Sequence, residues 1–179
     1  MSSNAPIRAV VLTSSDRCAA GVAVDLSGPA VASFVRETLR GEIVHEEVAP
    51  DDSARIEQFL RHWCDPSRLI DLALVTGGTG LGPRDHTPEA AMHVIDRPHP
   101  GLMELARLRC MEASRAATGT PDPRPFLSRA VAGAAKSTLI VTLPGSPKGA
   151  LETLHAIADI LPHAIRMLRG DARPRAHRS

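Results

Sequence analysis

The sequence predicts a three-layer α/β domain with a doubly wound, mostly parallel sheet. Short apolar segments alternate along the chain with segments whose apolar side chains recur at helical spacing. Polar turns rich in glycine, proline or aspartate follow several of the apolar segments. The chain has 179 residues, a length that suits one domain with a large core. We therefore expect residues 1–179 to form a single domain.

Five apolar segments are predicted to be strands. The third is a short, bounded apolar run, which is typical of a strand that is buried on both faces of a parallel sheet. The second has charged residues mixed among its apolar ones. The five predicted strands are residues 7–13, 43–48, 69–76, 130–135 and 138–143.

Apolar residues at helical spacing predict the helices between these strands. The first helix opens at residues 27–29, and Gly41 is expected to stop it. The others follow residue 53 or span residues 90–95, 102–117 and 150–161. Pro162 is expected to interrupt the last helix, which then continues. Three prolines make residues 118–125 a loop, and residues 170–179 are expected to form a flexible basic tail.

The composition argues against several classes of protein. The net charge is +1, so no global basic field indicates nucleic-acid binding. The three cysteines form no C-x-x-C pair, which argues for a reducing compartment and against a disulfide framework or a zinc site. There is no secretory signal and no apolar run of about 20 residues, so we expect a cytoplasmic protein without a membrane span.

A glycine loop at residues 75–89 is the most informative stretch. It follows the third predicted strand and contains four glycines within six residues. Glycine allows backbone N–H groups to approach a ligand closely. Arg84 and Asp85 lie inside the loop, and Thr87 can cap the helix that follows. The pattern differs from the P-loop and the dinucleotide fingerprint, so by itself it also fits an ordinary strand-to-helix turn.

Four polar turns are expected to meet at one edge of the sheet. Each follows a predicted strand, and the carboxyl ends of parallel strands lie at the edge where α/β proteins bind ligands. Together the turns contain carboxylates, hydroxyls, arginines and backbone N–H groups. They comprise residues 14–17, 50–51, 77–87 and 144–148.

These groups favour a magnesium-dependent reaction of a phosphate or nucleotide. Carboxylates repel a phosphate unless a cation lies between them, and Mg²⁺ commonly uses one or two carboxylates together with substrate phosphates. Arginine and backbone N–H groups bind phosphate oxygens directly. The predicted binding residues are Ser14, Ser15, Asp16, Arg17, Gly77, Gly78, Thr79, Gly80, Arg84, Thr87, Pro144, Gly145 and Ser146.

The charged residues also have structural interpretations. Asp51 stands where an aspartate commonly caps the next helix, and this interpretation is favoured by its position alone. Asp16 and Arg17 can form a surface ion pair. Asp85 can pair with Arg84 or cap the following helix. No serine, cysteine or histidine occurs in a pattern typical of nucleophilic catalysis or zinc binding.

With these residues in view, the chain closely resembles the MogA/MoaB family of molybdenum-cofactor biosynthesis, the molybdopterin adenylyltransferases. The central match is the string G-G-T-G-x-x-x-R-D-x-T-P-E-A at residues 77–90. Such a long string is far more specific than a lone glycine motif. The match runs in order from about residue 7 to 169 and includes residues 15–17, 25–29, 50–51, 100–101, 127–130, 143–148 and 163–164.

The resemblance implies a molybdopterin-binding-domain fold, assembly as a homotrimer or hexamer, and Mg²⁺- and ATP-dependent adenylylation of molybdopterin with release of pyrophosphate. The product is the substrate for metal insertion, which implies a downstream molybdenum-insertion protein as a partner. The aspartates regarded as essential in the family correspond to Asp51 and Asp85. We expect Asp51 to help hold Mg²⁺, Asp85 to orient Mg²⁺ or the attacking phosphate, and residues 77–80 to cradle phosphate.

Two other functions stay open. Some MoaB-type members keep the fold without the activity, so the chain can instead be a catalytically silent pterin-binding or scaffold protein. The related competence-damage-inducible family hydrolyses dinucleotide-type pyrophosphates, but it normally carries a second domain, for which 179 residues leave no room. The presence of both Asp51 and Asp85 favours the adenylyltransferase.

Overall fold

Six strands form one sheet with helices on both faces. The computed structural model describes residues 5–170. The strands are β1 (Arg8–Ser14), β2 (Glu42–Ala49), β3 (Leu72–Thr76), β4 (Arg97–Pro98), β5 (Ala132–Ala135) and β6 (Thr138–Leu143). The helices are α1 (Asp16–Ala19), α2 (Ser27–Glu37), α3 (Ser53–Trp63), α4 (Thr87–Met92), α5 (Pro100–Thr118), α6 (Pro147–Ile157) and α7 (Leu161–Leu168). Short 3₁₀ turns occur at Pro66–Arg68 and Arg124–Leu127.

The sheet is mostly parallel, as predicted. Its strand order is β2-β1-β3-β6-β5-β4; the first four strands run parallel, and the β6–β5 and β5–β4 pairs are antiparallel. Ser14 pairs with Ala49, Thr13 with Thr76, and Thr76 with Leu143. The four parallel strands therefore end level with one another, and the turns that follow them lie at one edge, here called the carboxyl edge.

Alternate residues of β1 pack into two cores on opposite faces of the sheet. Ala9 and Val11 belong to the core beneath α2, α5, α6 and α7, whereas Val10 and Leu12 belong to the core beneath α3 and α4. None of these four side chains is more than 1% exposed. Because helices cover both faces, the consecutive residues Ala9 to Leu12 are all apolar, and this part of the strand appears in the sequence as a continuous apolar run.

An ion pair closes the opposite end of the sheet, here called the amino edge. The Asp71 carboxylate accepts hydrogen bonds from Arg169 Nε and Nη2, both at 2.6 Å, and from the Arg8 backbone N–H at 2.8 Å. Arg169 also donates to the carbonyl oxygens of Ala5 and Pro6. The pair thus ties both ends of the described chain to the start of β3.

Two sequence predictions near the strands need correction. The third strand begins at Leu72, not at residue 69, because Leu69 adopts a left-handed conformation with φ of 54° after the 3₁₀ turn. A chain in that conformation cannot continue a strand. The short β4 was not predicted; it pairs with β5 at the edge of the sheet.

The predicted interruption by Pro162 is also wrong. The helix ends earlier, at Ile157, and a new helix begins at Leu161. Pro162 lies in the first turn of that helix, where its missing N–H would have no intrahelical partner in any case. Of the predicted flexible tail, residues 171–179 lie outside the described part of the chain. Within residues 5–170, the longest apolar helical stretch falls short of what crossing a membrane requires.

Candidate active site

The four polar turns meet closely at the carboxyl edge. Gly77 has a φ of 106°, and a Cβ on it would lie 2.1 Å from the carbonyl oxygen of Ser14. Its backbone N–H donates to the carbonyl oxygen of Leu143 at 3.0 Å, and Gly145 adjoins it on that side. Only glycine fits where three turns approach so closely, so packing alone explains why residue 77 is a glycine.

Asp51 links two of these turns and is not the helix cap. Its carboxylate accepts a hydrogen bond from the hydroxyl of Ser14 at 2.7 Å and another from the backbone N–H of Asp16 at 3.1 Å. Asp52 caps α3 instead, because its side chain accepts from Arg55 N. The capping interpretation of Asp51 is therefore wrong, and its partly buried carboxylate lies at the carboxyl edge.

Asp16 pairs with Arg84, not with its sequence neighbour Arg17. Arg84 Nε and Nη2 donate to the two oxygens of the Asp16 carboxylate at 2.8–3.1 Å. This fork connects the glycine loop to the turn after β1. The surface pair of Asp16 with Arg17 predicted as an alternative does not form, and Arg17 is exposed on the short helix α1.

The Asp85 carboxylate lies within the glycine loop itself. Its Oδ2 accepts a hydrogen bond from Gly82 N at 2.7 Å, and its own backbone N–H donates to the Gly82 carbonyl at 3.0 Å. A Cβ on Gly80 would lie 2.8 Å from the same Oδ2. Asp85 thus neither pairs with Arg84 nor caps α4; it organises a tight backbone turn and keeps its other oxygen available.

Thr87 carries an unpartnered hydroxyl. The residue is the first of α4, while His86 occupies the cap position without a side-chain capping bond, so the predicted capping role of Thr87 is wrong. Thr87 is 0% exposed, and among residues 5–170 its hydroxyl oxygen is the single buried side-chain polar atom without a hydrogen-bond partner. A buried hydroxyl without a partner is destabilising, which indicates that something other than stability keeps it there.

The Thr87 hydroxyl lies directly against Gly78. Gly78 has a φ of 60°, and a Cβ on it would lie 2.5 Å from Thr87 Oγ1 and 3.6 Å from Asp51 Oδ1. Thr87 N also donates to the Gly78 carbonyl at 3.1 Å. The missing side chain therefore lets the loop backbone pass close to a free hydroxyl and a carboxylate, an arrangement here called the Gly78 cradle.

The remaining predicted residues surround this cradle. Ser15 caps α1 and Ser146 caps α6, each accepting a backbone N–H through its hydroxyl. The Pro144 carbonyl accepts from the hydroxyl of Thr76 at 2.8 Å. Thr79 is buried, and its hydroxyl accepts from Ser128 at 3.2 Å. The structure therefore brings the predicted residues together, with Arg17 at their exposed periphery, and their roles stay predictions.

Two further residues at this edge were not predicted. Arg129 donates to the carbonyl oxygen of Gly80 at 2.7 Å and to that of Asp85. Asp25 accepts from the hydroxyl of Thr13 at 2.8 Å and from the backbone N–H groups that open α2. Neither lies in a glycine turn, so turn chemistry could not identify them; the one signal was their place in segments that match the family.

A cavity of about 1160 Å³ opens beside the glycine loop. It lies between α5, α6 and the loop that joins α5 to the second 3₁₀ turn. Ser128, Pro144 and Ser146 form its border with the predicted binding residues. Its volume is sufficient for a drug-sized organic molecule.

A Mg²⁺ ion at the carboxyl edge would have few protein ligands. Residues 5–170 contain no group of three or more His, Cys, Asp or Glu side chains that could hold a metal ion. Mg²⁺ needs fewer protein ligands, because substrate phosphates and water complete its octahedron. Asp51 and Asp85 offer hard carboxylate oxygens of the kind that Mg²⁺ prefers.

Known proteins are similar to this chain in sequence and in fold. Residues 10–163 match the family described as "Probable molybdopterin binding domain". The crystal structure of the molybdopterin biosynthesis enzyme MoaB from Thermus thermophilus is 43% identical, with a TM-score of 0.78 over 92% of this chain and 97% of that one. A molybdopterin adenylyltransferase from Helicobacter pylori is 36% identical over 90% of this chain and 87% of the relative.

A longer relative shares only the part that this chain represents. Gephyrin from Dictyostelium discoideum is 38% identical over 94% of this chain, which corresponds to 24% of gephyrin. The chain thus spans about a quarter of that multi-domain protein, and the agreement with shorter relatives rests on nearly their whole length. The chain therefore belongs to the molybdopterin-binding-domain family of MogA and MoaB proteins in molybdenum-cofactor biosynthesis, as its sequence predicts.

Proposed function

We propose that this chain is a molybdopterin adenylyltransferase that uses ATP and Mg²⁺. A terminal phosphate oxygen of molybdopterin attacks the α-phosphorus of ATP. A new P–O–P bond forms, the bond to the β-phosphate breaks, and pyrophosphate leaves. The observation that carries the proposal is the Gly78 cradle, where the glycine-loop backbone, the unpartnered Thr87 hydroxyl and the Asp51 carboxylate lie close together at the ligand-binding edge of the sheet.

The relatives of comparable length support this reaction. The Helicobacter pylori relative is named a molybdopterin adenylyltransferase, and so is one from Escherichia coli K12 that is 33% identical over 92% of this chain. Both relatives are covered over more than four-fifths of their length, at 87% and 86%. The name therefore applies to a protein of nearly the same extent as this chain.

The chain's own groups would position phosphates. Backbone N–H groups of residues 78–80 would approach phosphate oxygens, because the Gly77 N–H already donates to the Leu143 carbonyl. The Thr87 hydroxyl would donate a hydrogen bond to one of these oxygens. Asp51 and Asp85 would hold Mg²⁺, which, when bound, neutralises phosphate charge. Positioning and charge neutralisation account for most of the catalysis of phosphoryl-type transfers. The cavity beside the loop would hold an organic part of the substrates.

The assembly and cellular setting belong to the same proposal. We infer a single-domain cytoplasmic protein that forms a homotrimer, or a hexamer built from trimers, and passes its product to a molybdenum-insertion protein. Light scattering tests the assembly directly. A stable monomer at micromolar concentration would contradict it without affecting the proposed reaction.

The reaction itself is tested by incubating the protein with molybdopterin and Mg-ATP. We expect adenylylated pterin and pyrophosphate in equal amounts, and ATP consumption only when molybdopterin is present. Pterin binding without either product would contradict the proposal and favour the silent, pterin-binding alternative. ATP hydrolysis without pterin would instead indicate a hydrolase.

A further inference from the structure

Arg129 contacts the glycine loop at two of its backbone carbonyl groups. Its Nε donates to the carbonyl oxygen of Gly80 at 2.7 Å, and its Nη2 donates to the carbonyl oxygen of Asp85. Its backbone N–H donates to the Thr79 carbonyl at 2.8 Å. One residue therefore contacts the beginning and the end of the turn that contains the Asp85 carboxylate.

The turn makes few other contacts with the body of the protein. Its two hydrogen bonds between Gly82 and Asp85 are internal, so they shape the turn without fixing its position. Arg84 reaches Asp16, but that pair is largely exposed, with side chains 64% and 46% accessible. Exposed ion pairs contribute little, whereas a guanidinium fork bonded to two carbonyl oxygens is geometrically restrictive.

Glu89 in the first turn of α4 completes the arrangement. Its carboxylate pairs with Arg129 Nη1. Desolvation raises the pKa of Glu89, but hydrogen bonds from Arg129 and the backbone together with the charge of Arg129 outweigh it, so the pKa lies below its ordinary value. Arg129 is thereby oriented from α4 while it binds the loop, and the loop is joined to the helix that follows it.

We propose that Arg129 is a positioning residue that places the Asp85 carboxylate for the reaction, acting through the Gly80 and Asp85 carbonyl groups. This inference rests on the proposed adenylyl transfer. Arg129 need not touch either substrate. It fixes where the turn sits relative to the Gly78 cradle, and a displacement of about 1 Å at a catalytic group can cost about 10²-fold in rate.

Arg8 provides a matched control. Its guanidinium also donates to two backbone carbonyl oxygens, those of Arg68 and Leu69, but at the amino edge of the sheet. Both arginines are partly buried. Arg129→Ala and Arg8→Ala thus remove the same kind of interaction from opposite ends of the molecule. Arg129→Lys keeps the charge and loses the fork, and it substitutes for Arg129→Ala if that variant does not fold.

Amide hydrogen exchange of residues 80–86 and steady-state turnover test the proposal on the full chain. For Arg129→Ala we expect exchange in this segment to rise at least about tenfold, kcat to fall by about 10²-fold, and the KM for ATP to change much less. Added guanidinium at non-denaturing concentration should restore part of the protection from exchange and part of kcat. Arg8→Ala should change neither.

The outcomes separate this inference from the proposed function. If the amides of residues 80–86 exchange at the same rate in Arg129→Ala as in the wild-type protein, the positioning role is overturned. It is also overturned if the variant loses turnover and guanidinium does not restore it. If wild-type protein forms no adenylylated pterin, the proposed function fails. Loop exchange then still decides whether Arg129 holds the turn.

Discussion

The two ends of the central sheet differ in whether their buried polar groups are hydrogen-bonded. At the amino edge, Asp71 accepts three hydrogen bonds, and the buried Thr138 hydroxyl donates to the Ile70 carbonyl at 2.7 Å. At the carboxyl edge, the equally buried Thr87 hydroxyl has no hydrogen-bond partner within the described residues, and it lies against the backbone of Gly78. The amino edge is arranged for stability, whereas the carboxyl edge retains an unsatisfied hydroxyl that a ligand can satisfy.

The largest effect is expected from removing the Asp85 charge. Asp85→Asn keeps an oxygen that can accept from Gly82 N, so the turn should persist. We expect adenylyl transfer to fall by about 10²–10³-fold, by analogy with the loss of one preorganised stabilising group. The melting temperature and molybdopterin affinity should change little.

Near-normal turnover together with a lowered melting temperature would contradict this role. Asp85 would then be a residue that only shapes the turn, and the carboxyl edge would resemble the amino edge. Melting temperature, pterin affinity and pyrophosphate release, measured on one preparation of Asp85→Asn, separate the two results.

The opposite pattern is expected at the amino edge. Asp71→Asn removes the negative charge that pairs with Arg169, and the two side chains are only 10% and 19% exposed. Breaking such a buried pair should cost about 3 kcal/mol in the free energy of unfolding. Urea denaturation measures this loss, while turnover at a temperature where the variant is folded should stay at the wild-type level.

A surface pair serves as the control for that measurement. Asp159 pairs with Arg109 but is 62% exposed. Asp159→Asn should therefore leave the urea midpoint close to that of the wild-type protein. If Asp71→Asn were no more destabilising than Asp159→Asn, the amino edge would not be the stabilising end that we describe.

The smallest effects are expected from two threonine substitutions, one at each edge of the sheet. Thr138→Val removes a satisfied buried hydroxyl and should lower the free energy of unfolding by about 1 kcal/mol, without altering ligand affinity. Thr87→Val removes an unsatisfied one, so stability should stay constant or rise. Its affinity for Mg-ATP or molybdopterin should fall, by up to about tenfold in Kd.

Calorimetric titration and urea denaturation of both threonine variants provide the measurements. Equal loss of stability in the two variants would mean that Thr87 has a partner in solution, and the Gly78 cradle would lose its significance. Wild-type ligand affinity in Thr87→Val would remove its proposed role in phosphate binding.

The meeting of the polar turns at one edge could be predicted because it depends on local chemistry and topology. Parallel strands must end at a common edge, so the turns containing Ser14, Asp51 and Gly77 could be brought together from sequence alone. The prediction failed where neighbours compete for one role. Asp51 and Asp52 stand side by side, and only their backbone conformations decide which of them caps α3.

Long-range pairing could not be predicted from the residues themselves. Arg84 meets Asp16 across 68 positions in the chain, and Arg129 meets Asp85 across 44. No periodicity or turn chemistry encodes such partners, because they depend on how separate turns are placed by the sheet. The unpartnered state of the Thr87 hydroxyl likewise follows only from the packing of α4 against the glycine loop.

The most direct test of the central claim is backbone amide chemical-shift mapping while Mg-ATP is titrated into the protein. We predict that the largest shifts occur at residues 77–80 and Thr87, with further shifts at Asp51 and Asp85. Amides at Asp71 and Thr138 should remain unchanged. Shifts concentrated at the amino edge, or saturable binding without any shift in residues 77–87, would contradict the assignment of the carboxyl edge as the ligand site.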